Sequence, residues 1–449
     1  MSQLSALFKP QPFTIANLSN RVHAVFSGLP DNRKTSTSNN LKYDVSDAVL
    51  SAFSVFFTQS PSFLDYQIRM QKECGKNNAQ SIFGVHKIPS DTQIRNILDP
   101  IPPETLFPLL AEVGDALYQD GYLTSFRSIG DTLLMAMDGT DFFSSEKISC
   151  SCCTQQTLKN GKTLHRHIAV TPVIVAPGKS SVVPTSPAFV QPQDGHEKQD
   201  CEIAAAKRWL EDWGSHYSPW RVTLLGDDLY CHQPFCQAAI DQGFDILMVC
   251  KPDSHPLMYE WLADFERAGE VRSVEKTRWD GKQRLTESYR YMNQVPLRDS
   301  DDALFLNWCE LTVTNAAGKT VFRNAWATTH VISDNNVAEV AAAGRCRWKI
   351  ENENNNVLKN HGYHFDHNFG HGKLHLSNFL ATLNLLAFLL HTTLDWIDAS
   401  YHAVRGLLPS RRTFFEHLRA LMQYFPFDNW EYLMNFMLNR LDGKIPDSS

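Results

Sequence analysis

Three acidic residues stand where a chain could deliver metal ligands. Asp138 closes the apolar run Thr132–Met137, Asp227 closes Val222–Gly226, and Glu351 follows Arg347 in Arg347-Trp348-Lys349-Ile350-Glu351. Carboxylates that converge in a crevice can hold two Mg2+ or Mn2+ ions, which activate a water or a 3′-hydroxyl for phosphodiester displacement. Four residues before Glu351, Arg347 shares its helix face, and a guanidinium can hold a phosphate bidentately. Glu353 rivals Glu351, while Asp141 and Asp228 rival Asp138 and Asp227. One aspartate after a strand reads as a turn or cap residue; the ordered set of three carries the chemistry. Asn354-Asn355-Asn356 are poor helix formers for which packing gives no reason.

A second group is softer. Cys150 and Cys153 form a C-x-x-C pair, and His165 and His167 follow it, a spacing that suits a structural Zn2+ between the first two strands, with Cys152 and Cys201 as alternative ligands. The other cysteines are scattered and read as small core residues of a reducing compartment.

The elements that must position these groups fall into two patterns. Helical periodicity fills residues 1–125 after a polar run, 31–40, that reads as a loop. Ser46 caps a predicted helix through Val49, Leu50, Phe53, Phe56 and Phe57, which Pro61 ends. Further helices are predicted at Phe63–Cys74, Thr92–Leu98 and Pro103–Leu117. In the second of these, Thr92, Gln93, Arg95 and Asn96 are donors suited to phosphates and base edges, although a capped packing helix fits the same pattern.

From residue 130 the pattern turns to strands: Thr132–Met137, His167–Val175 and Val182-Val183. A helix over Glu197–Trp213 follows, with Ile203, Ala206, Trp209 and Leu210 apolar at helical spacing. Then come a strand at Val222–Gly226, a helix at Phe235–Gln242 and a strand at Ile246–Cys250. Such alternation predicts an α/β core with a partly parallel sheet whose ligands gather at carboxyl ends of strands. The core occupies 126–252 and 331–375, interrupted by a β-rich insertion at 253–330, and Glu351 lies on a helix expected from about Asn336 to Asn360. Residues 376–449 read as a helical C-terminal region with ridges at Leu380, Leu383, Leu386, Phe388 and Leu389.

With 449 residues, 43% of them apolar, the chain suffices for two or three domains. A net charge of −7 argues against nonspecific coating of nucleic acid while leaving room for a local basic groove. Asn384 and His391 interrupt the apolar stretch Phe379–Leu394, which predicts a buried helix rather than a membrane span. Met1–Pro12 lacks a basic start followed by an apolar run, so a cytoplasmic protein is expected.

Asp138-Gly139-Thr140, Leu225-Gly226-Asp227-Asp228 and Arg347–Glu351, in that order, resemble the DDE cut-and-paste transposases of bacterial insertion sequences. The likeness is to the Tn-five-like group, with its β-rich insertion between second aspartate and glutamate. The run Gly362–Lys373 is similar to the stretch after the glutamate in an ISNCY-like branch. The resemblance spans residues 130–375 and implies an RNase H-like mixed sheet core between helical N-terminal and C-terminal regions. It implies Asp138, Asp227 and Glu351 as ligands of two Mg2+ or Mn2+ ions, with Arg347 on a phosphate. It further implies cleavage at element ends and strand transfer into target DNA by a homo-oligomer assembled on DNA, at the nucleoid and without a membrane.

Two positions depart from the group's signature. Gly344 stands where a tyrosine precedes the arginine by three, and Leu358 stands where a lysine follows the glutamate by seven. Lys359, one residue further, is turned about 80° from the Glu351 face of a regular helix, whereas Asn355 shares that face. The histidines at 361, 364, 367, 371 and 375 are separated by Gly362, Gly370 and Gly372, and read as a polar loop facing DNA rather than a second metal site. A noncatalytic DNA-binding protein of the same fold and a metal-dependent nuclease or phosphoester hydrolase are the competing readings. The intact acids speak against the first, and the helical N-terminal region and large insertion speak against a small-substrate enzyme.

Overall fold

The computed structural model describes residues 14–31, 33, 42–194 and 198–441, with the backbone alone at 198–200. Residues 1–12, most of the polar run 31–40 and Glu197, the expected start of a helix, lie outside the described residues.

Six helices come first: α1 (Ile15–Ser27), α2 (Val45–Phe57), α3 (Phe63–Met70), α4 (Glu73–Phe83), α5 (Asp91–Leu98) and α6 (Phe107–Gln119). The helix expected over Phe63–Cys74 is thus two, α3 ending at Met70 before α4 starts at Glu73. Helix α5 is a packing helix: Ile94, Ile97 and Leu98 are buried, Gln93 closes a capping box with Ser90, and Arg95 Nε donates to the Phe369 carbonyl at 3.0 Å. Two of its four expected DNA-facing donors therefore serve the fold.

The strands follow. A short β1 (Arg127–Ser128) leads into β2 (Thr132–Ala136); β3 (Gly139–Ser145), β4 (Thr154–Thr157) and β5 (Thr163–Val170) form a small sheet in the order β3-β5-β4. Next are β6 (Val173–Val175), β7 (Val183–Pro184) and β8 (Ala188–Phe189), the last pairing with β5. The sequence suggests one strand over His167–Val175. The chain instead leaves the small sheet after Val170 and joins the main sheet at Val173, with Pro172, which has no N–H to donate, at the crossing.

Helix α7 (Lys198–Tyr217), β9 (Val222–Gly226), α8 (Gln233–Asp241) and β10 (Asp245–Val249) complete the alternation. Strands β2, β9 and β10 are mutually parallel and almost wholly buried, which is why they read as continuous apolar runs. After α9 (Pro256–Arg267) come β11 (Arg272–Trp279), β12 (Arg284–Pro296), β13 (Phe305–Thr314) and β14 (Thr320–Thr328). Because β14 pairs antiparallel with β10, the insertion extends the core sheet, in the order β11-β12-β13-β14-β10-β9-β2-β6-β7. Its outer strand β11 is exposed along nearly its whole length and rich in charge, as an edge strand must be to resist further pairing.

The Glu351 helix is broken. Helix α10 (Val337–Arg345) ends before Arg347, a π-helical segment spans Ile350–Asn355, and α11 (Asn356–Asn360) finishes it. The last region holds α12 (Leu376–Ile397), α13 (Ala399–Leu407), α14 (Arg411–Tyr424) and α15 (Trp430–Arg440). Helix α12 is long and apolar enough to cross a membrane, but 83% of that window is buried in the protein. Two of its polar residues meet Tyr363 inside: Asn384 donates to the Tyr363 carbonyl at 2.8 Å and His391 Nδ1 lies 2.7 Å from the Tyr363 hydroxyl.

The two terminal helical regions pack on each other. Asn78 of α4, fully buried, donates to the carbonyls of Met422 and Phe425 at 2.7 Å each and accepts from the Phe427 amide at 2.8 Å. Asn78→Ala strands three backbone groups at once and is expected to cost about 2–4 kcal/mol in chemical denaturation. A loss smaller than about 0.5 kcal/mol would show that the two regions do not depend on each other.

Candidate functional site

Strand pairing brings the two aspartates together. Parallel β2 and β9 are in register with Ala136 opposite Leu225, and the Met137 amide donates to the Leu225 carbonyl at 2.8 Å. Two residues further on, Asp138 and Asp227 follow the ends of these adjoining strands, near enough for the Asp227 charge to raise the Asp138 carboxyl. Asp227 Oδ1 also accepts from the Leu229 amide at 2.9 Å, and the rivals have partners of their own. Asp141, on β3, is ion-paired with Arg166. Asp228 accepts from the Lys251 amide at 2.7 Å and lies 3.5 Å from His255 Nε2. Burial works to raise the Asp228 carboxyl, but hydrogen bonds from His255, Ser254 and the Lys251 amide outweigh it and hold its pKa below the usual value.

The Glu351 segment docks on the same strand end. The Asp138 carbonyl accepts from the Thr171 amide at 3.2 Å, and the Thr171 hydroxyl accepts from Asn354 Nδ2 at 3.4 Å. Asn354 is completely buried, so packing does require this asparagine, contrary to the expectation from sequence. Arg347 and Glu351 form the expected i,i+4 pair, with Nη2 to Oε1 at 2.7 Å. Arg347 is itself buried, and its Nε is enclosed without a hydrogen-bond partner. At Gly344 a Cβ would lie 2.5 Å from Trp326 Nε1, so the space a tyrosine would need is taken by that indole.

A fourth carboxylate, not anticipated, completes the cluster. Glu202 of α7 is 5% exposed; its Oε1 accepts from the Gly139 amide at 2.9 Å and from the Tyr230 hydroxyl at 2.8 Å. Gly139 permits this approach, since a Cβ there would come within 2.5 Å of the Glu202 carboxylate. The signal was present in sequence: Glu202 lies four and seven residues before Ala206 and Trp209, in line with the apolar stripe of its helix. Burial first, then Glu202, Asp227 and Glu351, push the Asp138 carboxyl up to about 7, against the pull of Arg347. That Glu351 acts on Asp138 favours it over Glu353. Burial and the charges of Glu202 and Asp138 also hold the Tyr230 phenol well above its usual pKa, so it remains a neutral donor.

The acids cooperate electrostatically without gathering around one point. Among the described residues, only two groups of three or more potential ligands have their ligand atoms all within 4.8 Å of one another, and neither contains Asp138, Asp227 and Glu351. Like charges repel, and Arg347 binds the Glu351 carboxylate.

The first of those groups is Cys150, Cys153, His167 and His371. Three members were expected; the fourth is His371 in place of His165. His165, two residues before His167 on β5, is not among the ligand atoms that lie together. His371 is 6% exposed, so at this position the histidine-rich run turns inward rather than forming a polar outer loop. Burial, and then the neighbouring His371, push the His167 imidazole down to about 3, while a hydrogen bond with Cys150 lowers the Cys153 thiol. Cys152 points away and donates to the Leu374 carbonyl at 3.2 Å. The second group, Cys231, Cys250 and His255, is buried behind the Asp227–Asp228 turn, and a hydrogen bond with Cys250 keeps the Cys231 thiol well above its usual pKa.

Compared with models of known families and with curated proteins, the chain matches none.

The Asp138 shift sets a pH dependence for the metal-free protein. Between about pH 4 and about pH 7 the folded chain holds a proton that the unfolded chain has lost, so this group's contribution to stability falls as pH rises. Asp138→Asn cannot ionise and, in chelator at pH 8, is expected to be more stable than the parent by about 1–3 kcal/mol, a gap that closes near pH 4. Parallel denaturation profiles for the two proteins across that range would contradict the burial and coupling of Asp138.

Proposed function

We propose that the protein is a DNA transposase of the DDE type, with an RNase H-like core, cutting at insertion-sequence ends and joining the freed 3′ ends to target DNA. One observation carries the reading: Asp138 and Asp227 leave adjoining parallel strands in register, while Glu351, on a helix more than a hundred residues later, is close enough to help raise Asp138. Carboxyl ends of such strands are where α/β sheets place their ligands.

The donor set at this crevice is carboxylate oxygen, which suits Mg2+ or Mn2+, and the negative charge that pushes Asp138 up is what divalent cations would neutralise. When bound, a metal pair supplies an activated water or 3′-hydroxyl and stabilises the leaving oxygen. Asp138 and Asp227 are the fixed members of the ligand set, held by the sheet. Glu351 is the adjustable one, shared with Arg347. Arg347, whose charge already acts on Asp138, is the guanidinium that would meet a phosphate of the DNA backbone, once the segment that buries it moves. Glu202 positions Asp138 by holding the Gly139 amide, and it acts through that residue rather than on the substrate. The Cys150 group offers sulfur and imidazole, poor partners for Mg2+, and takes no part in this chemistry.

Cleavage of labelled linear DNA that carries the inverted repeats flanking the coding region, with Mg2+, tests the proposal. Asp227→Ala and Glu351→Gln are expected to lose at least about 100-fold in rate, while Asp228→Asn and Glu353→Gln keep most of it. Equal cleavage by the parent and Asp227→Ala removes the assignment; binding of the repeats without any cutting by the parent favours the noncatalytic reading.

A further inference from the structure

We propose that Cys150, Cys153, His167 and His371 hold a zinc ion, and that this ion fastens the segment after the Glu351 helix to the small sheet that starts beside Asp138. The spacing of the ligand atoms is the first argument. Cys150 Sγ and Cys153 Sγ are 3.8 Å apart; His167 Nε2 lies 3.4 Å from Cys150 Sγ and 3.5 Å from Cys153 Sγ; His371 Nε2 lies 3.4 Å from Cys153 Sγ. A regular tetrahedron with Zn–S of about 2.3 Å and Zn–N of about 2.0–2.1 Å has edges of about 3.8 Å between sulfurs and about 3.6 Å between sulfur and nitrogen. These four edges match such a tetrahedron, and all the ligand atoms lie within 4.8 Å of one another.

The second argument is chemical. Two thiols and two imidazoles are a soft to borderline donor set, which selects zinc over Mg2+ or Ca2+. The pocket is closed: Cys153, His167 and His371 are 3%, 2% and 6% exposed, and Phe143 packs on the His371 ring with centroids 4.2 Å apart. With all four corners supplied by protein there is no open position for a substrate, as in a structural rather than a catalytic zinc site.

The third argument is topological. Cys153 and His371 are 218 residues apart in the chain. The loop carrying Cys150 and Cys153 already touches the distal segment, for the Ser151 hydroxyl donates to the Lys373 carbonyl at 3.2 Å and Cys152 Sγ to that of Leu374. From the other side, Asp99 accepts from the amides of Lys373, Leu374 and Leu376 at 3.0–3.2 Å. A metal at the centre of these contacts ties β3 and β5, which begin and end beside Asp138, to the chain leaving Glu351. The site stands whether or not the carboxylates cut DNA.

Metal analysis of the full chain purified without chelator is expected to give about one zinc per protein. Replacing that zinc with Co2+ is expected to give the intense visible bands of a tetrahedral thiolate site. His371→Ala and Cys153→Ser should lose both metal and bands, and His165→Ala should keep them. On chelation, amide exchange at 369–376 and 150–154 is expected to quicken by at least about tenfold relative to β2 and β9. A parent protein that takes up neither zinc nor cobalt overturns the site, even if the variants fail to fold. Retention of metal by His371→Ala with loss by His165→Ala overturns the ligand set. Full occupancy with unchanged exchange in both segments overturns the fastening role.

Discussion

Gathering negative charge at a partly buried strand end is unfavourable, and much of the structure around β2 and β9 manages that constraint. Asp138 experiences desolvation together with the charges of Glu202, Asp227 and Glu351, and Arg347 acts in the opposite direction. The protein meets this in two ways. Glu202 is satisfied internally by the Gly139 amide and the Tyr230 hydroxyl, which spreads its charge over neutral donors. Glu351 is paired with a guanidinium that is itself buried. What remains is mutual repulsion at Asp138, which the cations of the proposed two-metal chemistry would relieve.

The strands that carry Asp138 and Asp227 were legible because a central parallel strand, covered on both faces, must be apolar throughout and must end abruptly in polar residues. The alternation of those runs with amphipathic helices was enough for a mixed α/β core between helical ends. Pairing was much less legible. Nothing local in Thr320–Thr328 says that it lies against β10, so an insertion that extends the core sheet looks, in sequence, like one that forms its own. Pro172 could have announced the crossing between sheets, but a single proline at a strand end is common enough to be passed over.

The thiol–imidazole group shows the same boundary more sharply. Local spacing found Cys150, Cys153 and His167, which one loop and one strand bring together, and then filled the fourth place with the nearest histidine. The fold instead supplies His371 from the far end of the core. Closure of a site across 218 residues is a property of topology, which a single sequence does not display. Glu202 was hidden differently: a carboxylate on an apolar helix stripe is visible, but its partner, a backbone amide freed by a glycine, is not.

The irregular helix that bears Glu351 has its cause in these contacts. A regular α-helix from Asn336 to Asn360 would fix the angular offset between Arg347, Glu351 and Asn354 at 100° per residue. Here Arg347 must face Glu351 while Asn354 turns into the protein to reach Thr171, and Gly344 must pass the Trp326 ring. The π-helical segment at Ile350–Asn355 widens the turn where those demands meet, and asparagines, weak helix formers, resist it least. The asparagine run that looked gratuitous in sequence therefore has a structural role: Asn354 anchors the segment that carries Glu351 to the strand end that carries Asp138.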